Sequence, residues 1–264
     1  MEWISNLRAR RHVRASFYRA ALADLPDGLE AGWRDSAPQE YPGIRTDAFF
    51  FVRAAEGLMY FFATAGCSGR SGPCALPSEA ADSIWHAWLR RDPIGLERFC
   101  RHHFGAAVPH IERAGLGACA LANTLAMGRA LEGIAPLGPR LPLPFGLDAR
   151  LRMAGGHGYW SLGDEIMYAR LGKRGRRLDR ARAHPELTID ALLAAGLVDA
   201  AMVEAHRRRR QPVVENSDGG SFMDGIPAGA FASDSASADG GGSDGGGDSG
   251  SSCGSSCGGG CGGD

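Results

Sequence analysis

The sequence predicts an all-α fold: a mostly helical single globular body of about 210 residues, followed by a long disordered C-terminal tail. Three observations carry this. Apolar residues recur at three- and four-residue spacing through most of the first 131 positions. No run alternates apolar and polar residues well enough to mark a strand. Composition also changes abruptly after Arg210: 17 of the 39 glycines and three of the seven cysteines fall in the last 54 residues. Such a segment holds too little apolar surface to offset the entropy of ordering it.

In chain order, Trp3, Ile4, Leu7, Val13, Phe17, Ala20 and Ala21 mark an amphipathic first helix, with Arg8, Arg10, Arg11 and Arg14 between them. Residues 26–42 read as turns. Thr46 or Asp47 caps a second helix carrying Phe49, Val52, Met59 and Phe62, and Gly66 stops it. The run 67–74 is built of chain breakers between Cys67 and Cys74. Ser78 caps a third helix with Asp82, Trp85, His86 and Leu89, and Pro93 ends it or begins the next, which runs over 94–104 and closes at Gly105. A small-residue helix follows over 116–131, with Cys119 read as core. Four prolines at 136, 139, 142 and 144 forbid a helix across 134–145. Beyond them come a glycine loop at 155–160, a short helix at 164–171, and helices at 189–195 and 198–210. This gives a helical domain over 1–133, a Pro-rich connector with a small helical subdomain over 134–210, and the disordered Gly/Ser/Asp/Cys-rich tail over 211–264.

The formal net charge of −1 averages two unlike objects. All 29 basic residues and 22 of the 30 acidic ones precede residue 211, so the body is +7 and the tail −8. The first 16 residues are charged throughout and lack a secretory apolar stretch. Apart from a segment at 48–65 broken by Arg53 and Glu56, no run approaches membrane-spanning length. The expectation is a cytoplasmic protein without membrane contact, in a compartment where cysteines serve metal or redox chemistry or packing before disulfides. The basic run from Lys173 to Arg182 offers a surface for a protein partner, as does the tail. Nucleic acid is not expected there, because no aromatics are interleaved with the basic residues.

The chemically informative stretch is Asp82-Ser-Ile-Trp85-His86, followed by Phe99-Cys100, His102-His103, Gly105 and His110. On a helix Asp82 and His86 share a face, four residues apart. Folding the next helix back brings Cys100 or His110 toward them, giving N, S and O donors suited to zinc or another divalent metal. Asp82, His86, Cys100 and His110 are therefore the metal candidates of the body. The alternatives are a buried hydrogen-bonded pair that locks two helices, and an enzyme with His86 as general base and Asp82 as its orienter. Adjacent on one helix, His102 and His103 diverge, so both are not expected in one site.

This pattern resembles the glycine-rich domain-containing protein-like family of bacteria and plants, a domain of unknown function. The resemblance covers about residues 45–112, and the Gly-rich tail is similar in kind. Many members carry a second histidine where this chain has Trp88. The resemblance brings no established activity and no catalytic residues; the expectation for this chain is a binding or scaffold module that holds a metal.

In the tail, Cys253, Cys257 and Cys261 recur every four residues. That spacing in glycine suits soft-metal binding, covalent modification of the cysteines, or recruitment of a partner. The sequence contains no Walker loop, dinucleotide fingerprint or His-Glu-x-x-His element.

Overall fold

The computed structural model describes residues 2–66, 72–111, 115–210 and 258–259. The first six helices are α1 (Glu2–Ala15), α2 (Arg19–Ala23), α3 (Leu29–Glu40), α4 (Ala48–Gly66), α5 (Glu79–Arg91) and α6 (Pro93–Phe104). The caps expected at Asp47 and Ser78 and the stop expected at Gly105 are in place. Asp47 Oδ1 accepts from Phe50 N at 3.2 Å to start α4, and Ser78 Oγ accepts from Ala81 N at 3.2 Å to start α5. Asp92 Oδ1 accepts from Gly95 N at 2.7 Å ahead of Pro93, and Gly105 ends α6 at φ 80°.

Two expectations about the N-terminal region fail. Residues 26–42 contain α3, whose Leu29, Trp33 and Ala37 form a buried stripe at four-residue intervals. Gly28 at φ 78° lets the chain enter it, and Pro38, which cannot donate to the Arg34 carbonyl, comes two residues before the helix ends. The first helix also splits in two: α1 packs mainly against α4 and buries only Ala9, with Trp3 and Ile4 exposed, and Phe17 is exposed in the turn before α2.

Helix α4 is the hub of the first core. It is long and apolar enough to cross a membrane by length and composition, yet 78% of its apolar window is buried inside the protein. Phe50, Leu58, Phe61 and Phe62 pack with Trp33, Trp85 and Trp88, and Trp33 Nε1 donates to Ser83 Oγ at 2.9 Å. Gly57 lets α8 (Leu143–Leu151) lie close, since a Cβ there would collide with Leu147.

The second core gathers α7 (Ala120–Leu131), α9 (Ile189–Ala194), α10 (Ala200–Arg210) and a three-stranded antiparallel sheet. With β1 being Cys74–Ala75, that sheet is β2 (His157–Leu162), β3 (Glu165–Arg170) and β4 (Arg182–Ala183) in order β2-β3-β4. The all-α expectation is corrected here to a mostly helical fold with a small sheet. Glycines at 155 and 158 and a helix-compatible run at 164–171 masked the hairpin. Its signature is a two-residue turn, Gly163-Asp164, between paired Leu162 and Glu165, with Gly163 at φ 64° and Tyr159, Trp160, Ile166 and Tyr168 alongside. Helix α8 also went unread after four prolines; Pro142 and Pro144 stand at its start, where proline is tolerated. It joins the two cores, with Leu147 and Leu151 in the first and Phe145 in the second.

A buried carboxylate fixes this junction. Asp148 accepts from Ser78 Oγ at 2.6 Å, Glu79 N at 3.1 Å, Ala80 N at 3.1 Å and His157 N at 3.0 Å. It thus ties α8 and β2 to the start of α5, where free N–H groups favour an anion. Gly258–Gly259 pairs antiparallel with β1; the rest of the tail, with Cys253, Cys257 and Cys261, lies outside the described residues, as does Cys67.

Candidate metal centre

Because α5 starts at Glu79, Asp82 falls in its first turn, and His86 follows one turn later on the same face. Trp85 beside them is fully buried against Phe61 and Phe62, which fixes the rotation of the helix. Gly105 reverses the chain after α6, Val108 anchors the returning segment in the core, and His110 arrives next to α5. The His110 ring meets Trp85 edge-on, with centroids 4.8 Å apart.

One donor atom from each of Asp82, His86 and His110 lies within 4.8 Å of the others. His86 Nε2 is 3.2 Å from His110 Nε2 and 3.7 Å from Asp82 Oδ2, and His110 Nε2 is 4.0 Å from Asp82 Oδ1. Two nitrogens on a tetrahedral zinc, each bound at about 2.05 Å, stand about 3.3 Å apart. The imidazole pair has that spacing already, and the carboxylate needs a shift of a few tenths of an ångström.

A surrounding shell orients the ligands. His86 Nδ1 faces Glu40 Oε2 at 3.2 Å, and a carboxylate accepts only, so the proton is assigned to Nδ1 and the lone pair to Nε2. Arg90 Nη1 donates to the other Glu40 oxygen, and Arg90 Nη2 donates to Ser36 Oγ at 3.3 Å. Tyr41 Oη donates to Asp82 Oδ2 at 3.1 Å and lies 3.3 Å from His86 Nδ1. Carboxylate–histidine pairs of this kind orient metal-binding imidazoles. Asp82 is 1% exposed, whereas His86 and His110 are half-buried.

Of the four body candidates, Asp82, His86 and His110 come together and Cys100 does not join them. Cys100 is buried in the first core, and that burial pushes its thiol up to about 12, so the metal-binding thiolate is disfavoured. Its place on α6 turns it into the core, while the return loop delivers His110. Glu40 and Tyr41 stand outside the expected site. They end α3, in a stretch whose sequence suggests turns, and no local pattern links them to a helix more than 40 residues later.

Elsewhere, Cys119 is exposed, because α7 begins only at Ala120. His102 and His103, expected to diverge, form a second cluster with Asp24 at the surface: His103 Nε2 is 3.2 Å from Asp24 Oδ2, and His102 is exposed. Aromatics absent from the basic run in sequence are supplied by the sheet, with Arg177 5.0 Å above Trp160 and Arg182 5.6 Å above Tyr168. Of the glycine loop expected at 155–160, residues 157–160 instead belong to β2, and His157 borders a polar cavity of about 130 Å³ with Glu79, Tyr159 and His184. No protein-family model, curated protein or solved structure matches the chain.

Proposed function

We propose that the protein is a metal-binding scaffold module of the glycine-rich domain-containing protein-like kind, with Asp82, His86 and His110 holding a divalent transition metal such as zinc. The observation that supports this most is the pair of imidazole nitrogens 3.2 Å apart over a buried aspartate, with His86 oriented from behind by Glu40. Three protein ligands leave a fourth position for water or for a donor atom of a partner. His110 also borders a surface groove of about 390 Å³ with Leu89, Leu96 and Val108, which gives a bound partner apolar footing beside the metal.

The reading of His86 as a general base oriented by Asp82 fits less well. The carboxylate within hydrogen-bond reach of His86 is Glu40, and Asp82 Oδ2 stands 3.7 Å from its Nε2.

Elemental analysis of the full chain after zinc loading and desalting tests the proposal. The expected result is one equivalent of metal per chain, retained when Cys253, Cys257 and Cys261 are all changed to serine and lost in His86→Ala and His110→Ala. A zinc-loaded wild-type chain that emerges without metal, or metal that follows the tail cysteines, overturns it.

A further inference from the structure

A large cleft lies away from the metal candidates. It has a volume of about 610 Å³ and opens between the turn joining α1 to α2, the middle of α4, the end of α7 and the start of α8. That volume is in the range of pockets that take small organic ligands. One wall is aromatic: Phe17 meets Tyr18 edge-on at 5.2 Å, and Tyr18 meets Tyr60 at 6.3 Å. Leu131, Leu141 and Leu143 supply the facing apolar wall. Phe17 is 89% exposed and Leu131 42%, an unusual outlay of apolar surface on adjoining elements.

The polar groups of the cleft divide into engaged and disengaged. Glu56 is buried, with His12 Nε2 2.6 Å from its Oε2 and Ser16 Oγ donating to its Oε1 at 2.6 Å. Glu132 Oε1 accepts from Leu143 N at 2.8 Å, and Tyr60 Oη donates to Gly128 O at 2.9 Å. Arg140 and Arg150 also line the cleft, and among the described residues neither guanidinium has an ion-pair or hydrogen-bond partner. Arg150 lies back over Gly146, one turn earlier on α8: a Cβ on Gly146 would sit 3.4 Å from Arg150 Nε.

The geometry points to a binding site for a small amphipathic carboxylate, its apolar or aromatic body against Phe17, Tyr18 and the leucines, and its carboxylate paired with Arg140 and Arg150. Guanidinium–carboxylate pairs are charge-assisted and often two-pronged, so they suit a planar anionic head. The two guanidiniums outweigh the acids of the cleft, because Glu56 is paired with His12 and lies 3.9 Å from Arg53, which leaves Glu132 as the single acid facing them among the described residues. The site shares no residue with the metal candidates and stands or falls independently of them.

Fluorescence titration of the full chain with naphthalene-2-carboxylate, against its uncharged analogue naphthalene-2-carboxamide and against 2-naphthyl phosphate, tests the assignment. The carboxylate is expected to bind about tenfold more tightly than the amide, the value of about one charge-assisted hydrogen bond. The double variant R140Q/R150Q is expected to erase that difference while leaving amide binding and the far-ultraviolet circular dichroism unchanged. Phe17→Ala is expected to weaken both ligands alike. Equal affinity of carboxylate and amide, no binding of either at millimolar concentration, or an undiminished preference in R140Q/R150Q overturns the proposal. Tighter binding of the phosphate than of the carboxylate overturns the choice of head group.

Discussion

Two buried aspartates meet at α5 and are built in opposite ways. Asp148, reaching in from α8, is saturated: a hydroxyl and three backbone N–H groups donate to it, and every donor belongs to the framework. Asp82, in the first turn of α5, faces two half-buried imidazoles and one phenol. The contrast separates structure from chemistry. A carboxylate surrounded by backbone donors fixes the chain, whereas one that shares its oxygens with titratable side chains is placed to hold a ligand that those side chains also hold.

The largest effect expected from this contrast is on stability. Asp148→Ala strands four donors at the junction of the two cores, a loss of about 3 to 5 kcal/mol. Urea denaturation followed by tryptophan fluorescence measures it, and a loss below about 1 kcal/mol would show that water replaces the carboxylate at no great penalty.

Glu40→Gln comes next and probes the other aspartate's neighbourhood. It removes the charged acceptor behind His86 while conserving shape. Zinc affinity should fall about 10-fold or more, with the denaturation midpoint nearly unchanged because Glu40 is partly exposed. Competition with a chromophoric chelator reads this, and unchanged affinity would remove Glu40 from the site.

The smallest effect concerns a third aspartate, intermediate in kind. Burial alone would raise the Asp47 carboxyl, but bonds from Ser5 and Phe50 and the nearby Arg45 outweigh it and hold it below its ordinary value. A depressed carboxyl stabilises the fold at neutral pH. That contribution is present above the ordinary aspartate value of about 3.9 and is lost as pH falls through the lower native one. Between pH 5 and pH 3, wild-type chain should therefore lose more stability than Asp47→Asn; parallel losses in the two would assign the acid sensitivity elsewhere.

Much of the fold was legible where local chemistry dictates it. The Ser78 and Asp47 caps, the glycine stop at 105 and the i, i+4 relation of Asp82 and His86 follow from side chains acting within four residues. What failed is what depends on distant partners or on rival readings of glycine and proline. Helix α3 needed the apolar spacing of Leu29, Trp33 and Ala37 to outweigh its proline, and the β2–β3 hairpin needed Gly163-Asp164 to be read as a turn.

By itself the sequence determined the helical body, the charge split near Arg210, and a helix face bearing an aspartate and a histidine, because spacing, capping and composition are local properties. The tertiary structure decided that His110 and not Cys100 joins that face. It also supplied Glu40 and Tyr41 from α3, and assembled the cleft that holds Arg140 and Arg150 from four separate elements. The reason is physical: these groups are brought together by burying aromatic and leucine surface across the whole body, a non-directional force that marks which face of a helix is buried but not which distant element covers it.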